Sequence, residues 1–231
     1  RSYGVDLLIE LPFPYACQSA TYFAKGAIDC LALAGVKDIV FGSECNDIDH
    51  LRLLAFSDHA ISNPLKKGGI STVKAYEKMH GTLSPNDILG VCYIRACRPH
   101  GITAHCIQRD GAYHSMGMDQ RFPSATALRH ALFQGEDISL HTPMKLTRST
   151  WHSIADYYPY LQGLLLTLSP QYLHDLFLMD EGIEHLFYEL AQRYDHWEDF
   201  LHAATSKRYS ASRIRRTMIH LLLQTTKQQI N

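Results

Sequence analysis

The apolar positions of this chain follow two rhythms, and the change between them falls near residue 140. In the first part, short apolar runs alternate with stretches of helical spacing. Residues 4–11, closed by Pro12 and Pro14, are mostly apolar and predict a strand buried on both faces. Residues 19–34 place Phe23, Ala27, Cys30, Leu31 and Ala34 on one helical face, with Ser19 as the cap and Gly35 as the stop. Residues 37–41 are a second apolar strand, so strand, helix and strand form a βαβ unit and imply a parallel sheet. Residues 47–60 and 71–79 read as helices joined by a loop at 63–69. Ser84, Pro85 and Asp87 open a further helix to Gly101, with a serine cap, a first-position proline and an acid in the first turn. Residues 103–107 are a third strand. Residues 110–122, with Gly111 and Gly117, are a loop with the composition of a mobile lid, and Ser124 then caps a helix through Phe133.

From residue 149 onward everything reads helical. The expected architecture is therefore an α/β domain with a Rossmann-like parallel sheet over residues 1–140, followed by an all-helical domain over 141–231. The last long helix carries an apolar stripe, Ile214, Met218, Leu221 and Leu222. A second stripe holds Tyr209, Arg213, Arg216 and His220.

Composition changes this picture little, and charge changes it locally. With 231 residues, 46% hydrophobic and 19% charged, the chain can bury one sizeable core or two small ones. A net charge of -1 carries no global nucleic-acid or membrane signature. Charge is nevertheless segregated. Residues 175–199 hold eight acids against Arg193, whereas Lys207, Arg208, Arg213, Arg215, Arg216 and Lys227 follow with no acid among them. The six cysteines form no C-x-x-C pair, which predicts thiols in a reducing, cytoplasmic setting. No run reaches the roughly 18 to 20 apolar residues of a membrane span, and no signal-peptide layout opens the chain. The fourteen histidines lack metal-site spacing, so no metal site is expected.

The candidate chemistry is anionic-ligand binding. Ligands of open parallel sheets bind beyond the carboxyl ends of strands, where Gly42 and Arg109 fall. Asn86 lies at a helix start, where its amide can donate and accept. Ser124, Thr126 and Arg129 surround another helix start, with free N–H groups and the positive end of a helix dipole. Each has an ordinary alternative: a strand-end glycine, a surface arginine, a first-turn residue in solvent, a capped helix. Lys207, Arg208, Arg213 and Arg216 suit an RNA backbone, and equally suit packing against the acidic segment at 175–199.

Taken together these residues resemble a known family. The run from Gly4 to Pro12, Ser19-Ala20 with Tyr22-Phe23-Ala24 and Gly26-Ala27, Phe41-Gly42-Ser43-Glu44, and Pro85-Asn86-Asp87-Ile88-Leu89-Gly90 match in order. Tyr113-His114, the run from Ser124 to Arg129, Lys207-Arg208-Tyr209-Ser210, and Ser212-Arg213-Ile214-Arg215-Arg216 continue the match over nearly the whole chain. This set is similar to the bacterial tRNA(Met) cytidine acetate ligases of the nucleotidyltransferase-like superfamily. The resemblance implies an ATP-dependent enzyme that activates acetate as acetyl-adenylate and acetylates the wobble cytidine of elongator tRNA(Met), with Mg2+ accompanying ATP. It implies ATP contacts at Gly42, Asn86 and Arg109, a phosphate motif at Ser124, Thr126 and Arg129, and tRNA contact at Lys207, Arg208, Arg213 and Arg216. His105 and His114 are candidates for a base in the second step.

One departure stands out. The family's H-x-G-H motif, which holds the ATP triphosphate, does not occur in this sequence, which opens on Arg1. The expectation is a removed native N-terminus, an incomplete sheet with an exposed edge, and little ATP turnover by the chain as it stands. Two other functions remain open at this stage: a small-molecule adenylyltransferase of the same fold, and a non-catalytic RNA-binding protein.

Overall fold

The computed structural model describes residues 4–56, 83–109, 123–142 and 151–230. They fall into two compact units, one ending at residue 142 and the other beginning at 151.

In the first unit, residues 4–11 are not a strand. They run without a sheet partner among the described residues, with Leu7 68% and Leu8 89% exposed. The run has the composition of a strand, but a strand exists only where a neighbour completes its backbone hydrogen bonds. Pro12 does not simply end this run; it is the N-cap of α1 (Phe13–Ala16), with Pro14 in the first turn, where a missing N–H costs nothing. α2 (Ala20–Leu33) follows Ser19 as its spacing predicts, and the chain leaves it through Gly35 at φ +78°. Its buried positions are Ala24, Gly26 and Ile28, an offset from the face read in the sequence. The cause is tertiary: the Tyr15 ring of α1 lies where a side chain on Gly26 would be, and Ile28 enters the core.

β1 (Asp38–Ser43) and β2 (Thr103–Gln108) are parallel, in register from Asp38 opposite Thr103 to Ser43 opposite Gln108. The long connection between them carries α3 (Ile48–Phe56) and α4 (Pro85–Cys97). The helix at 71–79 and the loop at 63–69 expected from the sequence lie outside the described residues. Seven of the thirteen residues of α4 are buried, so it is the central helix of this unit. Ile28, Leu51, Leu54, Ala55, Val91, Ile94, Cys97, Ile102 and Ala104 form one core around it, each large aliphatic side chain contributing about 1.5–3 kcal/mol by burial. Arg95 of α4 donates to the carbonyls of Ala55 (2.9 Å) and Leu54 (3.2 Å), satisfying acceptors near the end of α3. Cys92 and Cys97 are buried, and burial pushes the Cys97 thiol up to about 11; Cys45 is exposed. α5 (Ala125–Phe133) begins after Ser124, whose hydroxyl accepts from the Ala127 N–H at 3.1 Å.

The carboxyl end of β1 is tied to the start of α4 through Asp87. This carboxylate is 3% exposed. Its Oδ1 accepts from the Ser43 hydroxyl (2.5 Å) and the Glu44 N–H (3.1 Å), and its Oδ2 from the Cys45 N–H (3.2 Å). The Ser84 hydroxyl lies 2.6 Å from Oδ2. Burial alone raises the Asp87 carboxyl, but the hydrogen bonds from Ser43, Ser84 and Cys45 outweigh it and hold it below the usual aspartate value. Packing reinforces the joint, because the Phe41 ring lies against Gly90, where an added β-carbon would come within 2.4 Å of it.

The second unit is helical: a 3-10 turn (Ile154–Tyr157), α6 (Tyr158–Thr167), α7 (Pro170–Asp175), α8 (Ile183–Ala191), α9 (Trp197–Ala204), α10 (Ala211–Leu222) and α11 (Lys227–Ile230). Phe200 packs at its centre with its ring centroid 5.3 Å from those of both Tyr158 and Phe187, and Ile214, Met218 and Leu221 of α10 are fully buried in the same core, as their spacing predicts. The chain after α10 is pinned by the Phe177 N–H, which donates to Thr225 at 2.8 Å. No helix among the described residues is long and apolar enough to cross a membrane.

Two substitutions measure the joint between β1 and α4. Asp87→Ala strands a buried hydroxyl and two backbone N–H groups, and is expected to lower the unfolding free energy in urea by about 3 kcal/mol. Because the folded carboxyl titrates low, its stabilisation is full above the unfolded value near ~3.9 and is lost as pH falls through the folded value. Wild type should therefore lose stability more steeply than Asp87→Asn on acidification below about pH 4. Gly90→Ala should destabilise by about 1–3 kcal/mol through overpacking against Phe41.

Candidate functional site

The end of β1 and the start of α4 frame a pocket of about 360 Å³. Its walls are Ala27, Ile28 and Leu31 of α2, Ile39 to Gly42 of β1, and Asn86, Leu89 and Tyr93 of α4. Most of this lining is apolar, and Asn86 and Tyr93 bring the polar side chains. The fold supplies this layout locally: β1 delivers Gly42 at its carboxyl end, and the Ser84 cap starts α4 so that Asn86 sits in its first turn.

Arg109 lies beside Gly42. Its N–H donates to the Ser43 carbonyl at 2.9 Å, and a β-carbon on Gly42 would be 3.9 Å from the Arg109 Cβ. Gly42, Asn86 and Arg109, 67 residues apart in sequence from first to last, are thus neighbours in space. A β-carbon at Gly42 meets nothing closer than that ordinary contact, so the described residues do not themselves require glycine there. A glycine that the protein does not need leaves room for a ligand to approach the backbone.

Glu44, beyond β1, organises the polar end. Its Oε1 accepts from Asn86 Nδ2 at 2.6 Å and its Oε2 lies 2.5 Å from the Ser84 hydroxyl, whose one proton serves either this carboxylate or Asp87. Ser84 thereby links the Glu44 and Asp87 carboxylates while its oxygen caps α4 by accepting from the Asp87 N–H. The sequence reading places Asp87 as a first-turn acid facing the helix dipole and assigns Glu44 no role of its own. The Ser84-x-x-Asp87 spacing resembles a capping box, yet the carboxylate reaches across to Ser43 and Cys45 instead.

The other candidates are placed as follows. Ser124 is 6% exposed and spends its hydroxyl on capping α5; Thr126 is half-buried and Arg129 exposed in the same helix start. None of the three lines the pocket of Gly42 and Asn86. His105 is opposite Val40 and its ring nitrogen is 3.0 Å from Asp38, the first residue of β1, so it serves the opposite end of that strand. His114 and the loop at 110–122 lie outside the described residues. Among the described residues, no group of three His, Cys, Asp or Glu side chains is arranged to hold a metal ion.

In the second unit the basic motif is partly internal. Tyr209 is buried, its hydroxyl donates to the Glu181 carbonyl at 2.8 Å, and burial pushes its phenol above the ordinary value. The guanidinium groups of Arg208 and Arg213 lie over its ring at 5.3 and 5.1 Å. Both also meet Glu181 Oε2, Arg213 at 3.2 Å and Arg208 at 3.5 Å. Arg213 is 19% exposed and Arg208 54%, so Arg208 and the exposed Lys207 hold the solvent side. Arg216 is half-buried, and His220 is fully buried against the Phe177 ring at 4.9 Å. The stripe of Tyr209, Arg213, Arg216 and His220 read from helical spacing is therefore not one exposed face.

The HIGH Nucleotidyl Transferase family model matches residues 2–231. The chain is similar to the tRNA(Met) cytidine acetate ligase of Mesomycoplasma hyopneumoniae strain J, 37% identical over 95% of this chain and 74% of that protein. The enzyme of the same name from Anoxybacillus flavithermus is 32% identical over 98% of this chain and 64% of its own length. Among solved structures, the apo crystal structure of Thermotoga maritima TmcAL superposes with a TM-score of 0.82 at 28% identity, over 99% of this chain and 63% of that one. A second crystal form of the same protein, bound with alpha-thio ATP, superposes with a TM-score of 0.78. The chain spans under two thirds of the length of these solved structures. By family model, sequence and fold alike, this chain belongs to the tRNA(Met) cytidine acetate ligase family of HIGH nucleotidyl transferases.

Proposed function

We propose that this protein uses ATP to activate acetate and transfers the acetyl group to the wobble cytidine of elongator tRNA(Met). The observation that carries the reading is that Gly42 and Asn86 line one pocket and Arg109 lies beside Gly42, in a chain whose structural neighbour was crystallised with alpha-thio ATP and whose relatives are named for the ligation.

The chemistry asks for alignment and charge neutralisation. In the first step an acetate oxygen attacks the α-phosphorus of ATP, the bond to the bridging oxygen breaks, and pyrophosphate leaves. The guanidinium groups of Arg109 and Arg129 and the free N–H groups of α5 suit the developing phosphate charge. ATP arrives as its Mg2+ complex. In the second step the exocyclic amine of cytidine attacks the acetyl carbonyl of the mixed anhydride, AMP leaves, and the amine loses a proton to solvent or a base. Lys207 and the exposed part of Arg208 offer a cationic surface for the RNA backbone, with Arg213 and Arg216 behind them. Glu181 and Tyr209 hold Arg208 and Arg213 in place, so the motif is a pre-arranged surface instead of a set of loose side chains.

The reading is tested by incubating the protein with ATP, labelled acetate and unfractionated tRNA. Label is expected in an acetylated cytidine, and Arg129→Ala should reduce it at least about a hundredfold, the usual cost of one transition-state charge contact. Pyrophosphate release with another small substrate and no label in RNA would instead indicate an adenylyltransferase. Salt-dependent tRNA binding without either reaction would leave an RNA-binding module. Gly42→Ala should leave the thermal midpoint within a few degrees of wild type while weakening ATP binding about tenfold or more, measured by titration calorimetry, since only the ligand needs that space. Charge reversal at Lys207 and Arg208 should weaken tRNA binding across sequences and lower the log–log salt slope by about 2, with ATP affinity unchanged.

A further inference from the structure

The basic motif of the helical unit divides into engaged and free charge. Arg208 and Arg213 share Glu181 Oε2 and lie over the Tyr209 ring, and Arg216 is half-buried. Lys207 and Arg215 are exposed and have no hydrogen-bond, ion-pair or ring partner among the described residues. Arg215 is also placed against the helix dipole. α8 and α9 open on acids, Glu184 in one and Glu198 with Asp199 in the other, as the positive end of a helix favours. α10 opens with no acid and carries Arg213, Arg215 and Arg216 within its first two turns, and no Asp or Glu follows Asp199 in the chain. Glu181 offsets Arg213 from outside the helix, and among the described residues no group does so for Arg215. Successive helical residues turn by about 100°, so Arg215 stands nearly opposite Arg213 round α10. It shares its face with Ser212, one turn earlier and also exposed, whose hydroxyl is 3.2 Å from that of the cap Ser210. Just before the cap a turn is closed by the Ser206 N–H, which donates to the Tyr209 carbonyl at 2.9 Å, and by the Tyr209 N–H, which donates to the Ser206 hydroxyl at 3.1 Å. Lys207 and Arg208 form its tip, so the two free charges lie before and beyond the first turn of α10.

We propose that Arg215 is a phosphate contact for RNA, and that the RNA backbone crosses the first turn of α10 between Lys207 and Arg215, with Arg213 positioning the motif from behind. The inference rests on the reading of this unit as the tRNA-binding one. A polyanion supplies what the described residues do not, negative charge on the solvent side of the positive end of α10. The first-turn residues at the crossing, Ala211 and Ser212, are small and let a sugar–phosphate backbone come close. The exposed side chains of the strip are Ser206, Lys207, Arg208, Ser212 and Arg215. It offers a protein partner no apolar or aromatic anchor, whereas hydroxyls and cations are the groups that meet phosphate oxygens.

The test is tRNA binding by fluorescence anisotropy across a series of KCl concentrations, for wild type, Arg215→Ala, Arg215→Lys and Arg213→Ala, with a thermal melt of each. Arg215→Ala is expected to weaken binding about threefold to tenfold at about 0.1 M salt and to lower the log–log salt slope by about 1. The loss should be the same for an unrelated RNA, and the thermal midpoint should not move. Arg215→Lys should keep the slope. Arg213→Ala should instead lower the midpoint by several degrees, because it undoes the contacts with Glu181 and Tyr209. Unchanged affinity and slope in Arg215→Ala, with binding still lost on charge reversal at Lys207 and Arg208, overturns the inference and leaves the tRNA reading standing. A midpoint drop in Arg215→Ala that matches Arg213→Ala overturns it as well, since the residue is then structural. Polyglutamate bound as tightly as RNA overturns the phosphate assignment. Failure of wild type to bind RNA removes the tRNA reading and this contact with it.

Discussion

A single buried carboxylate holds the first unit in its working form. Asp87 receives hydrogen bonds from a hydroxyl and two backbone N–H groups at and just beyond the end of β1, and the cap of its own helix, Ser84, meets it from the other side. An unpaired carboxylate this far from water would be strongly unfavourable. The donors surrounding it therefore have to stay where they are, and so do the strand end and the helix start that carry them. Gly42 lies one residue before Ser43, and Asn86 one before Asp87, so the two pocket residues inherit their separation from this joint.

The same corner explains a division of labour across the pocket. Two carboxylates at the α4 terminus make it unwelcoming to anions, and the walls from α2, β1 and α4 are mostly apolar. Under the proposed function, positive charge for a triphosphate comes from other elements, Arg109 just after β2 and Arg129 on α5.

The helical unit uses an acid for a different purpose. Glu181 sits at a left-handed backbone position and draws two arginines over the Tyr209 ring. The tyrosine hydroxyl returns to the Glu181 carbonyl and closes the arrangement. Of the acidic segment at 175–199, this residue satisfies the packing role open in the sequence, and it does so while leaving Lys207 and much of Arg208 in solvent. Packing therefore accounts for part of the basic motif, and the same contacts leave a cationic surface open to the proposed tRNA contact.

What the sequence alone determined is what depends on neighbours within a few residues. The caps at Ser84 and Ser124, the two strands ending at Ser43 and Gln108, and the buried stripe of α10 were all legible, because each is a local hydrogen bond or a local periodicity. The ordered resemblance along the chain also implied ATP contacts at Gly42, Asn86 and Arg109, which the structure brings close together. Tertiary structure decided the rest. Residues 4–11 have the composition of a strand, but no ladder among the described residues for them to join. Tyr209 and His220 have the spacing of a surface stripe, but the core takes them in. Apart from Ser84 beside Asp87, the partners of Asp87 and Glu44 lie 40 or more residues away in sequence. A charged side chain advertises its need for a partner in the sequence, but which group meets it is settled only when distant segments pack and water is excluded.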